Sequence, residues 1–352
     1  MPIDREKTQA LLDRIVGELG AALTVPLVVI GDRLGLYRAL AEHGPLDAAA
    51  LARHTGTHTR YIREWLSAQS AAGFVQYNAG QDDFSLAPEQ AAIFADEKSP
   101  VSMLGGFELA AGAIRGYENI LDAFRTGAGV GWGEQHPDVC SGTGRFFRPA
   151  YANHLVRHWI PALEGVQEKL QRGARAADVG CGLGHSTLLM ARAFPASEFL
   201  GIDLHPASVE NARAAAAKAG LSERCRFEVA SAHDLPGRDY DLITFFDCLH
   251  DMGDPIGAAA KMRACLAPDG CWMVVEPLAG AGLAENQTPV GRMFYAASTL
   301  VCTPASLSED VGLGLGAQAG EARLREVILA GGFAHVRRAA ETKFNLVLEA
   351  RA

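Results

Sequence analysis

The sequence predicts an α/β protein: a mostly parallel sheet with an antiparallel last strand, preceded by an α-helical N-terminal portion that ends in a small wing. Three observations carry this. Apolar strand candidates alternate with helical stretches from residue 174 onward, the pattern of a parallel sheet covered on both faces. Only three residues join the last two strands, so those must pair antiparallel. Before residue 100, apolar residues recur at helical spacing and a two-strand hairpin follows. A chain of 352 residues also exceeds what one core usually serves, so two or three domains are expected.

The N-terminal elements follow from periodicity. Residues 5–20 carry Leu11, Leu12, Ile15 and Leu19 on one helical stripe, and residues 24–43 carry Val29, Leu34, Leu36 and Leu40 on another. Residues 46–54 form a short helix with Asp47 near its start, and residues 57–72 form a second with Ile62, Trp65 and Leu66 on one face. Gly73 ends that helix, and FVQYNAGQDDFSLAPE reads as two strands around a polar turn. Helix, turn, helix and wing together spell a winged helix, expected over residues 1–98.

Such a module either reads DNA or serves packing and dimerisation. Its exposed helix face offers only Arg60 and Arg63, offset by Glu64, and residues 1–100 hold 9 Lys/Arg against 13 Asp/Glu, a net of −4. A DNA reader shows a basic footprint, so no nucleic-acid partner is expected and a structural or dimerisation role is. The whole-chain charge of −9 points the same way. No signal-peptide pattern opens the chain, and apolar runs such as LTVPLVVIG fall short of the ~20 residues that span a bilayer, so no membrane association is expected. The seven cysteines are odd in number and lack a Cys-x-x-Cys pair, which disfavours a disulfide framework or structural zinc and fits a reducing cytoplasm.

Residues 99–165 read as a helical connector and lid. Within it, residues 127–149 form a Gly-rich loop carrying Trp132, Phe146 and Phe147, and residues 151–170 a helix. The second half, 166–352, places strands at Arg175–Val179, Glu198–Asp203, Cys225–Val229, Asp241–Phe246, Gly270–Glu276, His335–Ala340 and Phe344–Glu349. Helices are expected at His185–Phe194, Ala207–Ala219 and Ile256–Leu266, with a helical insertion at 277–318 placed to cover the ligand crevice.

The chemistry concentrates in DVGCGLG, Asp178 to Gly184, between a strand and a helix. Ligands of open α/β sheets bind outside the carboxyl ends of the strands. Glycines 180, 182 and 184 let the backbone approach a ligand, and the following helix N-terminus favours an anionic group. The dinucleotide fingerprint requires a third glycine where His185 stands, and no Gly-Lys-Ser/Thr follows to make a P-loop. Asp203 lies 25 residues after Asp178, ending the next strand, where an acid can accept both ribose hydroxyls of an adenosine.

These residues, in ADVGCGLGHSTLLMARAFPASEFLGIDLH, resemble the first two motifs of class I S-adenosylmethionine-dependent methyltransferases, whose fold is Rossmann-like. DYDLITFFDCLHDMGDP, LAPDGCWMVVEP and FAHVRRAAETKFNLVLEAR extend the match. The N-terminal half is similar to that of small-molecule O-methyltransferases, and the whole chain, including VGRMFYAASTLVCTPASLSEDVGLGLGAQAGEARL, most resembles an uncharacterised actinobacterial group of winged-helix methyltransferases. The resemblance implies S-adenosyl-L-methionine as cofactor, with Gly180, Gly182 and Gly184 along its methionine half, Asp178 acting through the loop, and Asp203 on the ribose. Cys181 and Leu204 belong to the same two segments. Ser231 stands where an aspartate commonly meets the adenine amino group, with Ala232 backbone beside it, and Phe246 and Asp247 are expected near the sulfonium.

By the same resemblance His250, in Leu-His-Asp, would take the acceptor hydroxyl proton, with Glu276 holding it, Asp251 beside it, and Glu321 a third acid candidate. A phenol has a pKa of ~10, so a positioned imidazole would help it react at neutral pH. The alternative for His250 is a residue that shapes the pocket or caps the next helix. A thiolate, enolate or free amine needs no base, which leaves N-, C- or S-methylation by positioning alone as a rival reading. A cofactor-sensing DNA-binding regulator is a rival from another class, and a fold that keeps the cofactor while doing other chemistry is a further one. His154 and His158 have zinc-compatible spacing but no third ligand, so no metal is expected.

Overall fold

Where the N-terminal helices break is decided by glycine. The computed structural model describes residues 3–352, and its chain divides into two compact units, one running through Gly112 and adding Ser141–Pro149, the other Ala113–Cys140 and Ala150–Ala352. Residues 99–165 are thus shared between the two units.

In the first unit a single helix, Arg5–Arg33, replaces the expected break between residues 20 and 24. Asp4 caps it by accepting from Glu6 N and Lys7 N. Nothing in Ala21–Leu23 stops a helix, and Pro26 removes one hydrogen bond without ending it; the chain turns at Gly35, φ +71°. This helix is long and apolar enough to cross a membrane by length and composition, although its uncharged stretch between Glu18 and Asp32 stays short of a full span. Leu11, Leu12, Ile15, Val16, Leu19 and Leu23 along it are exposed.

Helices Leu36–His43, Ala48–Thr55 and Thr59–Ala71 and the hairpin β1 (Gln76–Asn78) and β2 (Asp83–Ser85) make the winged helix. Its core gathers Tyr37, Leu51, Trp65, Leu66, Phe84 and Phe94, with Tyr37 stacked on Phe94 and its hydroxyl donating to buried Gln69 at 2.6 Å. Arg60 pairs with Glu64 and Arg63 with Asp82.

Helix Leu104–Arg115 packs closely on the later part of helix Pro137–Ala150, which occupies much of the predicted 127–149 loop. A Cβ at Gly142 would lie 2.3 Å from Leu109 N, and one at Gly105 would lie 2.3 Å from Phe146 N. These glycines serve helix–helix approach and not a loop. Arg145 ties the same helix to Asp32, Glu97 and Glu108.

The second unit is built on a seven-stranded sheet. Its strands are β3 (Arg175–Val179), β4 (Glu198–Asp203), β5 (Cys225–Val229), β6 (Tyr240–Phe246), β7 (Leu266–Pro277), β8 (His335–Glu341) and β9 (Asn345–Arg351). They are ordered β5-β4-β3-β6-β7-β9-β8; β9 runs antiparallel to both of its neighbours and the other pairings are parallel. The order reverses between β3 and β6, which opens a crevice at their carboxyl ends. Buried Ile243, Phe245, Trp272, Val274 and Leu348 pack against Met262, Ile328 and Phe333 of the covering segments.

Two departures from the expected helices matter here. Residues 151–170 do not form one helix: Tyr151–Trp159 is a π-helix, followed by a 3₁₀ turn and the helix Val166–Arg172. The insertion contains helix Pro289–Ala297, a second π-helix at Ser298–Cys302 and helix Thr303–Leu307. Residues 129–131 lie on its end, with Val130 N donating to Pro304 O at 2.9 Å.

Candidate active site

The loop from β3 to helix His185–Ala193 holds three glycines in the left-handed region, at φ +69°, +50° and +75° for Gly180, Gly182 and Gly184. A Cβ at Gly180 would lie 2.8 Å from Cys248 Sγ, and one at Gly184 would strike Phe227 and Ala212, whereas one at Gly182 meets nothing within 4 Å. Gly180 and Gly184 are therefore required by packing, and Gly182 faces open space. Asp178 turns inward: Ser186 and Thr187 hydroxyls each donate to its Oδ2 at 2.6 Å, and Thr244 donates to Oδ1 at 3.0 Å. Burial pushes its pKa up to about 6 against those three donors. Cys181 is buried too, so both residues offer a ligand only their backbone.

Asp203 ends β4 and ties its own loop to the glycine loop. Its Oδ2 accepts from Gly182 N at 2.8 Å and its Oδ1 from His205 N at 2.9 Å. A carboxylate has about four acceptor sites, so each oxygen keeps a free lone pair. Burial raises its pKa, against those two N–H donors. Leu204, next along, is exposed, as is Val229 at the end of neighbouring β5. Ser231 caps the turn Ala232–Asp234 by accepting from Asp234 N, and its hydroxyl sits 2.6 Å from Asp234 Oδ2.

The second cluster lies after β6 and is buried. His250 Nδ1 hydrogen-bonds Glu276 Oε2, while Glu276 Oε1 accepts from Leu249 N at 2.8 Å. A carboxylate only accepts, so the Nδ1 proton is assigned, and in the neutral ring Nε2 carries the lone pair. Asp251 Oδ1 is 3.3 Å from that Nε2, and the Cys302 thiol hydrogen-bonds the ring. Burial opposes a charged ring, yet the carboxylates of Glu276 and Asp251 hold the His250 pKa well above its ordinary value. Burial lifts Asp251 to about 7 against the attraction of His250.

Comparison with known proteins bears on the fold that carries these residues. Residues 170–313 match the Methyltransferase domain family, and residues 21–95 match the Rv2258c-like winged HTH domain. The chain is an S-adenosylmethionine-dependent methyltransferase with a winged-helix domain. The methyltransferase is 25% identical over 253 residues to the mitomycin biosynthesis 6-O-methyltransferase of Streptomyces lavendulae, spanning 68% of this chain and 70% of that protein. In fold it is similar to mitomycin 7-O-methyltransferase, with a TM-score of 0.72 at 21% identity, covering 99% of this chain and 100% of that one. It is also similar to human N-acetylserotonin methyltransferase in complex with its S-adenosylmethionine, TM-score 0.72 at 18% identity, covering 100% and 99%.

The methyltransferase contains site residues that its sequence did not reveal. Tyr151 hydroxyl donates to Asp247 Oδ2 at 2.8 Å, Asn345 Nδ2 donates to Asp247 Oδ1 at 3.1 Å, and Tyr151 packs its ring 5.0 Å from Phe246. Asp247 itself adopts φ +51°, uncommon for a residue with a side chain, and burial raises its pKa well above the ordinary range. Both π-helices therefore deliver a side chain here, Tyr151 to Asp247 and Cys302 to His250. π-Helical turns occur frequently at functional sites, and no sequence pattern announces them. Trp132 hydrogen-bonds Asp251. Glu321 instead pairs with Arg325 and Arg338, which removes it as a partner of His250.

Proposed function

We propose that the methyltransferase places the methyl group on a hydroxyl oxygen of a small, partly apolar acceptor, with His250 as general base. The contact between His250 Nδ1 and Glu276 carries this reading, because it fixes the tautomer that leaves Nε2 able to take a proton. S-Adenosylmethionine, when bound, supplies the activated methyl carbon. Gly182 and Asp203 suit such a ligand: the first leaves room for backbone approach, and the second keeps two lone pairs for a diol. Exposed Leu204 gives an apolar surface for an adenine face, with Ser231 and Ala232 at the next strand end. Asp247, buttressed by Tyr151 and Asn345, holds the end of β6 in shape. Glu276 and Asp251 raise the His250 pKa well above its ordinary value, so the neutral ring that can take a phenolic proton grows in share as pH rises. The O-methyltransferase names of the relatives support oxygen as the acceptor atom.

The exposed apolar stripe of Arg5–Arg33 supports a homodimer, and the pairing of Arg60 and Arg63 with acids supports a structural role for the winged helix in a cytoplasmic enzyme. The domain scheme of 1–98, 99–165 and 166–352 is kept as a functional division in which the second unit's residues 113–140, 150–165 and 277–318 cover the acceptor. The test is His250→Ala. Turnover should fall by about 10²–10⁴ while affinity for S-adenosylhomocysteine stays within a few-fold. An unchanged rate removes the base assignment, and Asp203→Ala run alongside should lose cofactor affinity instead.

A further inference from the structure

One group of unlike donors lies in the buried cluster after β6. His250, Asp251 and Cys302 bring imidazole nitrogen, carboxylate oxygen and thiol sulfur within 4.8 Å of one another, all buried. Asp251 Oδ1 has no hydrogen-bond partner, although an orphaned buried acceptor is costly. Glu276 sits on the far side of the ring, on Nδ1. That is the arrangement of a metal-ligating histidine: one nitrogen on the ion, the other donating to a carboxylate that fixes tautomer and orientation. Ligand atoms around a tetrahedral zinc stand about 3.3–3.8 Å apart, given bond lengths of about 2.0–2.3 Å, so a small closure completes three positions.

We propose that His250, Asp251 and Cys302 form a Zn²⁺ site with one open position, and that occupancy blocks methyl transfer. The mixed N, O and S donor set selects a borderline cation of the zinc class over Mg²⁺ or Ca²⁺, which prefer all-oxygen cages. Binding releases the thiol proton together with any proton on Nε2 or on Asp251, and with thiolate and Asp251 carboxylate the ion's two charges are balanced. The ion takes the Nε2 lone pair that proton transfer requires, so the zinc-loaded chain does not turn over. The sequence hides this set because Cys302 lies about fifty residues beyond His250, on a π-helix.

The test titrates Co²⁺, as a spectroscopic stand-in, into the full chain. One equivalent should give a near-ultraviolet thiolate-to-cobalt charge-transfer band and the visible bands of a tetrahedral site, and Zn²⁺ should displace it. Cys302→Ser should lose the charge-transfer band, and Glu276→Gln should weaken binding by about 10–100-fold. Should Cys302→Ser fail to fold, zinc-edge absorption of the wild-type complex decides: one sulfur at about 2.3 Å with light ligands at about 2.0–2.2 Å supports the site. No band, a band unchanged in Cys302→Ser, or a shell with no sulfur or several overturns it. These readouts do not depend on turnover, so they stand apart from the general-base assignment. Added Zn²⁺ should also abolish wild-type methyl transfer; full activity in the 1:1 zinc complex overturns the blocking role.

Discussion

Asp178 shows how one side chain can act on the cofactor loop without touching a ligand. Three hydroxyls converge on its carboxylate, so it pins the start of helix His185–Ala193 to β3 and β6. Its native pKa of about 6 exceeds the ordinary value of 3.8, so this group favours folding fully below about 3.8 and the contribution fades as pH rises through 6. The difference amounts to about 3 kcal/mol. The stability of wild type relative to Asp178→Asn should therefore rise by that order between pH 7 and pH 4, as read by urea unfolding at both pH values. Tyr151 offers a second residue-level check. Tyr151→Phe strips one donor from buried Asp247 and should cost about 1–3 kcal/mol, read as a lower urea midpoint, with reduced turnover.

At the scale of elements, the glycines of helix Pro137–Ala150 were the most misleading feature. Gly142 and Gly144 suggest a loop, and helix propensity agrees, since glycine costs about 1 kcal/mol in a helix interior. Packing overrides that cost, because only glycine admits the backbone of Leu104–Arg115 at this distance. Gly142→Ala, which raises intrinsic helix propensity, should nonetheless lower Tm by several degrees, since a Cβ 2.3 Å from a backbone nitrogen forces the helices apart. A Gly142→Ala protein as stable as wild type would refute the close approach. The two π-helices belong to the same scale. Each shifts the register of side chains by a fraction of a turn, and in this way Tyr151 and Cys302 reach buried partners that α-helical spacing would not predict.

At the scale of the molecule, the helix Arg5–Arg33 leaves Leu11, Leu12, Ile15, Val16, Leu19 and Leu23 exposed, an apolar array of the kind that marks an interaction surface. If that stripe is a dimer face, Leu12→Asp with Leu19→Asp should convert the protein to monomers in light scattering while the far-ultraviolet circular dichroism stays unchanged. A protein already monomeric as wild type would contradict the homodimer.

The family resemblance pointed to Glu276 as the partner of His250, while the sequence by itself determined the strand alternation, the antiparallel close, the winged helix and the Gly180–Gly184 loop. All of these rest on short-range signals: two- and four-residue periodicity, glycines at a strand-to-helix turn, and acids at strand ends. Only the tertiary structure decided which groups face one another across long separations. It turned Asp178 and Cys181 inward, paired Glu321 with arginines, and joined Tyr151 and Asn345 on Asp247 and Cys302 on His250. The physical reason is that side-chain direction after a π-turn, and the closeness of two helices, depend on packing with distant segments and have no periodic trace in the chain.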